Sequence, residues 1–150
     1  MQTLEQQIEK IKDGDISALE GVYQKMQKSV YLLSYSILSN SEKAKDILQD
    51  IFIKVALNIS SYTKNTNPAA WICRIARNLS YTEYSKSKRN TSIEVFEESI
   101  PDNKTGEEFW VDNIMLKNAM IKLELQEREI VTLFSQGYKH KEIALIVGKP

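Results

Sequence analysis

Apolar side chains recur along this chain at spacings of three and four, the period of a helix that buries one face. Leu4, Ile8 and Ile11 give a short amphipathic helix that stops at Asp13-Gly14. Asp15 is placed to cap the next one, where Ile16, Leu19, Val22 or Tyr23, Met26, Val30, Leu33 and Ile37 keep the helical step. Ser39-Asn40-Ser41 reads as a turn, with Ser41 capping a third helix from Glu42 to about Ile59. A polar loop from Ser60 to Asn67 leads to a fourth helix. Asn67 is its expected cap and Pro68 its first residue, where the missing N–H costs nothing. No run alternates with the period of two that a half-buried strand needs, so the expected fold class is all-α.

Beyond Asn90 the composition shifts. Between Glu94 and Glu108 six acids face one base, a net −5, with Pro101 and Gly106 as breakers, which marks a linker. Helices resume after Thr105, three residues before Glu108 in the spacing of a capping box. Ile114, Met115, Ala119, Ile121 and Leu123 carry the apolar positions onward. A helix over Gln126 to Gln136 then stops at Gly137, and another over Lys139 to Val147 stops at Gly148. A short helix, a glycine turn and a second helix begin a helix-turn-helix, and the sequence ends at Lys149-Pro150, where a recognition helix would follow. The expected organisation is two small helical domains: four helices over 1–90, an acidic linker over 91–106, and a partial three-helix unit over 107–150.

Composition narrows the function. The 150 residues are 42% hydrophobic, which is globular, and the formal net charge is zero. Affinity for nucleic acid therefore has to come from local asymmetry. Such asymmetry lies between Trp71 and Asn90, where five basic residues face one acid, a local +4. Wound at 3.6 residues per turn, Ile72, Ile75, Ala76 and Leu79 form the buried face. Arg74, Arg77, Tyr81, Tyr84 and Lys88 lie opposite, with Trp71 and Asn78 on the border. Cations among aromatics suit phosphates and unstacked bases. A solvated face whose aromatics pack on neighbours has the same pattern, and periodicity leaves both open.

The third helix also has two faces. Ala44, Ile47, Leu48, Ile51, Phe52, Val55 and Ile59 are the core stripe, and Asp46, Gln49, Asp50, Ile53 and Leu57 lie opposite. Carboxylates around exposed aliphatics fit a protein partner carrying Arg or Lys; a solvated acidic face fits equally. Signs of catalysis are sparse. His140 is the one histidine and Cys73 the one cysteine, and glycine, at five residues, forms no phosphate loop. Asp46 and Asp50, one turn apart, read as surface charge. No enzymatic activity, cofactor or metal is expected. The N-terminus lacks an apolar signal segment and nothing approaches ~18 consecutive apolar residues, so a soluble, reduced, cytoplasmic protein without membrane insertion is expected.

At this point particular motifs carry a resemblance. AKDILQDIF (Ala44 to Phe52) followed by PAAWICRIARNLSYTEYSKSKR (Pro68 to Arg89) resembles the extracytoplasmic-function group of bacterial RNA polymerase sigma factors. The carrying pattern is Asp-x-x-Gln-(Asp/Glu)-x-Phe, then Pro-x-x-Trp-(x)5-Arg-Asn. The similarity covers Asp15 to Arg89 as region 2 and Leu116 to Gly148 as part of region 4, and implies a second domain cut within its helix-turn-helix. It implies a factor that directs core RNA polymerase to promoters without bond chemistry of its own. Asp46, Gln49, Asp50 and Ile53 would dock on the β′ clamp helices, with a further contact to the β flap. Tyr62, Thr63, Lys64 and Asn65 would take a flipped base of the −10 non-template strand. Trp71, Arg74, Arg77, Asn78, Tyr81, Lys86, Lys88 and Arg89 would hold the adjacent DNA backbone. An anti-sigma factor is a further implied partner. The alternative is a sigma-like decoy that binds polymerase or a regulator without supporting initiation.

Overall fold

The protein is described from a computed structural model, which defines residues 2–90 and 122–148, with side chains to Ser87 in the first segment. The acidic linker, the helix expected after Thr105, and the side chains of Lys88 and Arg89 lie outside the described residues. Among those described there are six α-helices and no strand: α1 Leu4–Lys12, α2 Leu19–Leu38, α3 Ser41–Leu57, α4 Pro68–Asn90, α5 Leu125–Ser135 and α6 His140–Val147. Two 3-10 turns, Ile16–Ala18 and Ile59–Ser61, join α1 to α2 and follow α3. The fold is all-α.

Helix ends follow the polar punctuation. Thr3 and Gln6 form a reciprocal capping box at α1, with Gln6 N donating to Thr3 Oγ1 (3.1 Å) and Thr3 N to Gln6 Oε1 (2.9 Å). Asp15 caps a 3-10 turn, accepting from Ser17 N at 3.2 Å, and α2 proper begins at Leu19. Ile16, expected on the buried stripe, is consequently exposed. The cap of α3 is Asn40, not Ser41: its Oδ1 accepts from Lys43 N at 3.0 Å and Ser41 becomes the first helical residue. Ser39 ends α2 in the left-handed region, with φ 57°. Asn67 caps α4 as expected, accepting from Ala70 N at 3.0 Å.

Helix α2 is the axis of the fold and touches α1, α3, α4 and α5. Its first half buries one stripe, Val22, Met26 and Val30; from Val30 to Leu38 every residue is buried. A helix covered all round needs partners on all sides. Here α3, α4 and α5 surround it, and Tyr31, Leu32 and Tyr35 form a second cluster with Ala44 of α3. Serines fit where helices approach closely: the hydroxyls of Ser34 (α2) and Ser80 (α4) pair at 2.8 Å, both fully buried. Ile72, Cys73, Ala76 and Ser80 are the fully buried residues of α4, while Ile75 and Leu79 are only partly covered. The buried sector of α4 is thus rotated from the expected one, because neighbours pack on two of its sides.

The second side is covered by α5 and α6. Helix α5 packs on α2, α6 packs on α4, and Leu133, Ile143, Ile146 and Val147 join the same apolar cluster as Val30 and Ile72. Each fully buried aliphatic of this kind contributes about 1.5–3 kcal/mol. Glycines set the turns: Gly137 (φ 94°) follows α5, and Gly148 (φ 77°) closes α6 with its N–H donating to Ala144 O at 2.9 Å. Between α5 and α6 the apolar surface stays open, around Ile130, Val131 and Phe134.

Candidate functional site

The outer face of α3 is built as its period requires. Ala44, Ile47, Ile51, Phe52 and Val55 point inward, which forces Asp46, Gln49 and Asp50 into solvent. Beside them stand two uncovered aliphatics, Ile53 at 48% and Leu57 at 76% exposure. The result is an acidic, aliphatic strip on a rigid helix.

The loop after α3 is tied down from beneath. Tyr62, expected among the residues that read DNA, is instead a core residue at 2% exposure. Its ring packs against Trp71 at 5.3 Å between centroids and its hydroxyl donates to Glu5 of α1. Burial, then the Glu5 carboxylate, pushes the Tyr62 pKa up. The backbone carbonyl of Tyr62 accepts from Lys12 Nζ at 3.2 Å. A large ring flanked by polar residues finds the nearest apolar wall, and here that wall is α1 and α4. What the loop presents is therefore Thr63, Lys64, Asn65 and Thr66, all exposed. Asn65 adopts φ 66°, and its N–H donates to Glu5 Oε2 at 3.3 Å. Next to this tip lies an open depression of about 280 Å³ lined by Thr66, Asn67, Ala70, Trp71, Arg74 and Leu145.

The basic face of α4 is only partly free. Asn78 and Lys86 are exposed. Arg77 is turned to α5: its Nε donates to Glu129 Oε2 at 2.5 Å, and Glu129 is fully buried. The Arg77 guanidinium also lies over the Tyr81 ring, 4.5 Å from its centroid, and the Tyr81 hydroxyl donates to Glu129 Oε1 at 3.3 Å. Burial first, then the Glu129 carboxylate, raises the Tyr81 pKa. Arg74 is exposed and donates through Nη1 to Leu145 O at 2.7 Å, a cation against the carbonyl end of α6. Gly148 makes room for it, since a Cβ there would meet the guanidinium at 3.2 Å. Arg77 and Tyr81, expected on a solvent-facing surface, are thus covered by α5.

Further bonds complete this contact. Asn67 Nδ2 donates to Glu142 Oε2 (2.9 Å), and the Lys139 backbone N–H, then this Asn67 bond, hold the Glu142 carboxyl below its usual range. Cys73 Sγ and the Tyr138 hydroxyl are 3.3 Å apart, and burial pushes the Cys73 pKa up to about 11. Arg128 Nε donates to Ser36 O at 3.1 Å, which ties α5 to α2. Glu129, Glu142 and Tyr138 were not singled out from the sequence. Glu129 sits in QEREI, where a charge run reads as solvated surface, and its partner Arg77 is 52 residues away.

Chemically, these surfaces offer hydrogen-bond donors, π-faces and carboxylates. Among the described residues no group of three or more His, Cys, Asp or Glu side chains is arranged to hold a metal ion. Nor is any helix there long and apolar enough to cross a membrane.

Comparison with known proteins bears on what such a set of surfaces belongs to. The family described as Sigma-70 region 2 matches residues 22–90, the span from α2 to the end of α4 that carries both faces and the loop. The ECF RNA polymerase sigma factor SigW of Bacillus subtilis (strain 168) is 27% identical over 122 residues, 81% of this chain and 65% of that protein. Over α2 to α4 the chain is similar to sigma-70 region 2, and over most of its length it is similar to a sigma factor of the extracytoplasmic-function group.

A second relative in the group, the ECF RNA polymerase sigma factor EcfG of Rhodopseudomonas palustris (strain TIE-1), is 26% identical over 124 residues, 80% of this chain and 67% of the relative. The chain thus spans about two thirds of the length of these sigma factors. The part similar to sigma-70 region 2 is the unit of α2, α3 and α4, with α1 bracing the loop through Glu5. Its α5 and α6 fall beyond the matched region 2 and lie against it.

Proposed function

We propose that this protein directs core RNA polymerase to promoters and initiates transcription by capturing the −10 non-template strand. In this reading Asp46, Gln49, Asp50 and Ile53 dock on the clamp helices of β′, where carboxylates meet basic side chains and the Ile53 and Leu57 aliphatics are buried. Thr63, Lys64 and Asn65 receive a flipped base, with the depression beside Trp71 to hold it. Trp71, Arg74, Arg77, Asn78, Tyr81, Lys86, Lys88 and Arg89 hold the neighbouring backbone. Tyr62 supports that loop from below and does not touch DNA. The α5–α6 unit is the part of region 4 that meets the β flap, and an anti-sigma factor competes for these surfaces in the cytoplasm.

The mechanism requires binding free energy alone. Extruding a base costs a few kcal/mol, and stacking on an aromatic returns about 1–3 kcal/mol per base. Phosphate contacts add a salt-dependent, sequence-independent term. No bond is made or broken by the protein, so it acts as a binding subunit and not as an enzyme.

The observation that carries this reading is the placement of an exposed acidic-aliphatic strip (α3) and an anchored polar loop beside a basic, aromatic helix (α4) on one rigid region 2. Purified core polymerase mixed with the chain and a promoter tests it. Formation of an open complex supports the proposal; core binding without strand opening leaves the sigma-like decoy as the correct reading.

A further inference from the structure

The contact between α4 and the α5–α6 unit has a consequence for DNA binding. Three of the side chains assigned to the DNA backbone, Arg74, Arg77 and Tyr81, are engaged by Leu145 O and the Glu129 carboxylate. A carboxylate offers a guanidinium the same pair of anionic oxygens that a phosphate does. Glu129 meets Arg77 and Tyr81 with the two oxygens of its carboxylate, one to each. Alongside it, Glu142 holds Asn67, at the edge of the loop-side depression, and Leu145 forms one wall of that depression.

Resting on the DNA-face reading above, we infer that α5–α6 is an intramolecular competitor of single-stranded DNA for α4, with Glu129 as an internal phosphate mimic. The docked and DNA-bound states exclude each other, because both use Arg77 and Tyr81. Opening exposes Leu133, Ile143, Ile146 and Val147 as well as the ion pair, so DNA or a polymerase surface has to supply the free energy for it. A buried ion pair contributes little net stability once desolvation is counted, and on undocking Glu129 regains water while Arg77 gains phosphate. Loop residues Thr63 to Asn65, Asn78 and Lys86 stay uncovered in the docked state, so DNA can make first contact there and then displace α5–α6. A polymerase surface that binds α5–α6 would favour the same opening, by mass action on the undocked form.

The test uses the full chain and a short fluorescein-labelled single-stranded oligodeoxynucleotide, with docking followed separately. Dyes on cysteines placed at Glu42 (α3) and Lys141 (α6), both exposed positions, in a Cys73→Ala background report docking by energy transfer. Saturating oligonucleotide is expected to lower energy transfer in the chain with Glu129 intact, and Glu129→Gln is expected to tighten oligonucleotide binding about tenfold, ~1.4 kcal/mol. Oligonucleotide bound with energy transfer unchanged overturns the inference, as does Glu129→Gln binding no more tightly. If circular dichroism shows that Glu129→Gln has lost helix, the energy-transfer titration with Glu129 intact decides alone. Failure of the underlying DNA face is distinguishable: Arg77→Ala placed on Glu129→Gln then leaves affinity unchanged, and the inference falls with its premise.

Discussion

Tyr62 separates a structural role from a reading role within one loop. Its ring is 2% exposed against Trp71, and its hydroxyl donates to a Glu5 carboxylate that is only partly buried. Removing the hydroxyl in Tyr62→Phe loses one hydrogen bond to a charged acceptor, worth about 1.5–3 kcal/mol in general. Glu5 can rehydrate and keeps its bond from Asn65 N, so the low end applies, about 1.5 kcal/mol. Removing the ring in Tyr62→Ala adds the loss of a buried aromatic and a cavity, for a total of about 3–5 kcal/mol. Urea denaturation followed by circular dichroism reads both values. The second assay is −10 base preference in complex with core polymerase. Tyr62→Phe should alter discrimination at any position by less than about threefold, ~0.6 kcal/mol. A Tyr62→Phe protein with unchanged stability and altered −10 preference would refute the assignment and return the side chain to the DNA.

Other consequences are as direct. Asp46→Lys with Asp50→Lys should abolish capture by core polymerase while leaving the urea midpoint within error, because both side chains point away from the core; capture at the wild-type level contradicts the docking face. Exchange of Thr63 to Asn65 for the loop of a relative should change −10 preference, whereas Lys86→Ala should weaken binding to all sequences alike and flatten its salt dependence; equal effects from both would remove the distinction between reading and positioning. Burial raises Cys73 from 9.0 to about 11, so the folded state keeps a proton that the unfolded state loses. The associated stability is fully present below pH 9 and is lost as pH rises toward 11. Denaturation at pH 9 and pH 10 should differ by ~1 kcal/mol, and by less in Cys73→Ala; a pH-independent stability across that window contradicts a buried, neutral thiol.

Much of the fold was legible because local chemistry decided it. Asn67-Pro68 set the start of α4, Gly137 and Gly148 the ends of α5 and α6, and the three-four spacing placed Ile47, Ile51 and Val55 inside and Asp46 and Asp50 outside. What stayed hidden depended on tertiary neighbours. Asn40 won the α3 cap from Ser41 by a shift of one residue, a competition between two equally good capping side chains. Tyr62 lies in a polar loop, and only the proximity of α1 turns it into core. The run Tyr31 to Leu38 carries serines that make one stripe look sufficient, yet α5 covers the other side and Ser34 pairs with Ser80. Glu129 is charged and so reads as exposed; it is buried because Arg77 and Tyr81 meet it from another helix. The acidic-aliphatic strip was therefore visible in the sequence, and the cover over the basic helix was not.

Strand opening by the reconstituted complex is the decisive measurement. A promoter carrying 2-aminopurine in the −10 non-template strand reports unstacking by a rise in fluorescence when core polymerase and this protein are added together. The account predicts a rise with both components, none with either alone, and none with core plus the Asp46→Lys/Asp50→Lys protein. A full rise with that double variant, or no rise with the wild-type chain bound to core, would contradict it.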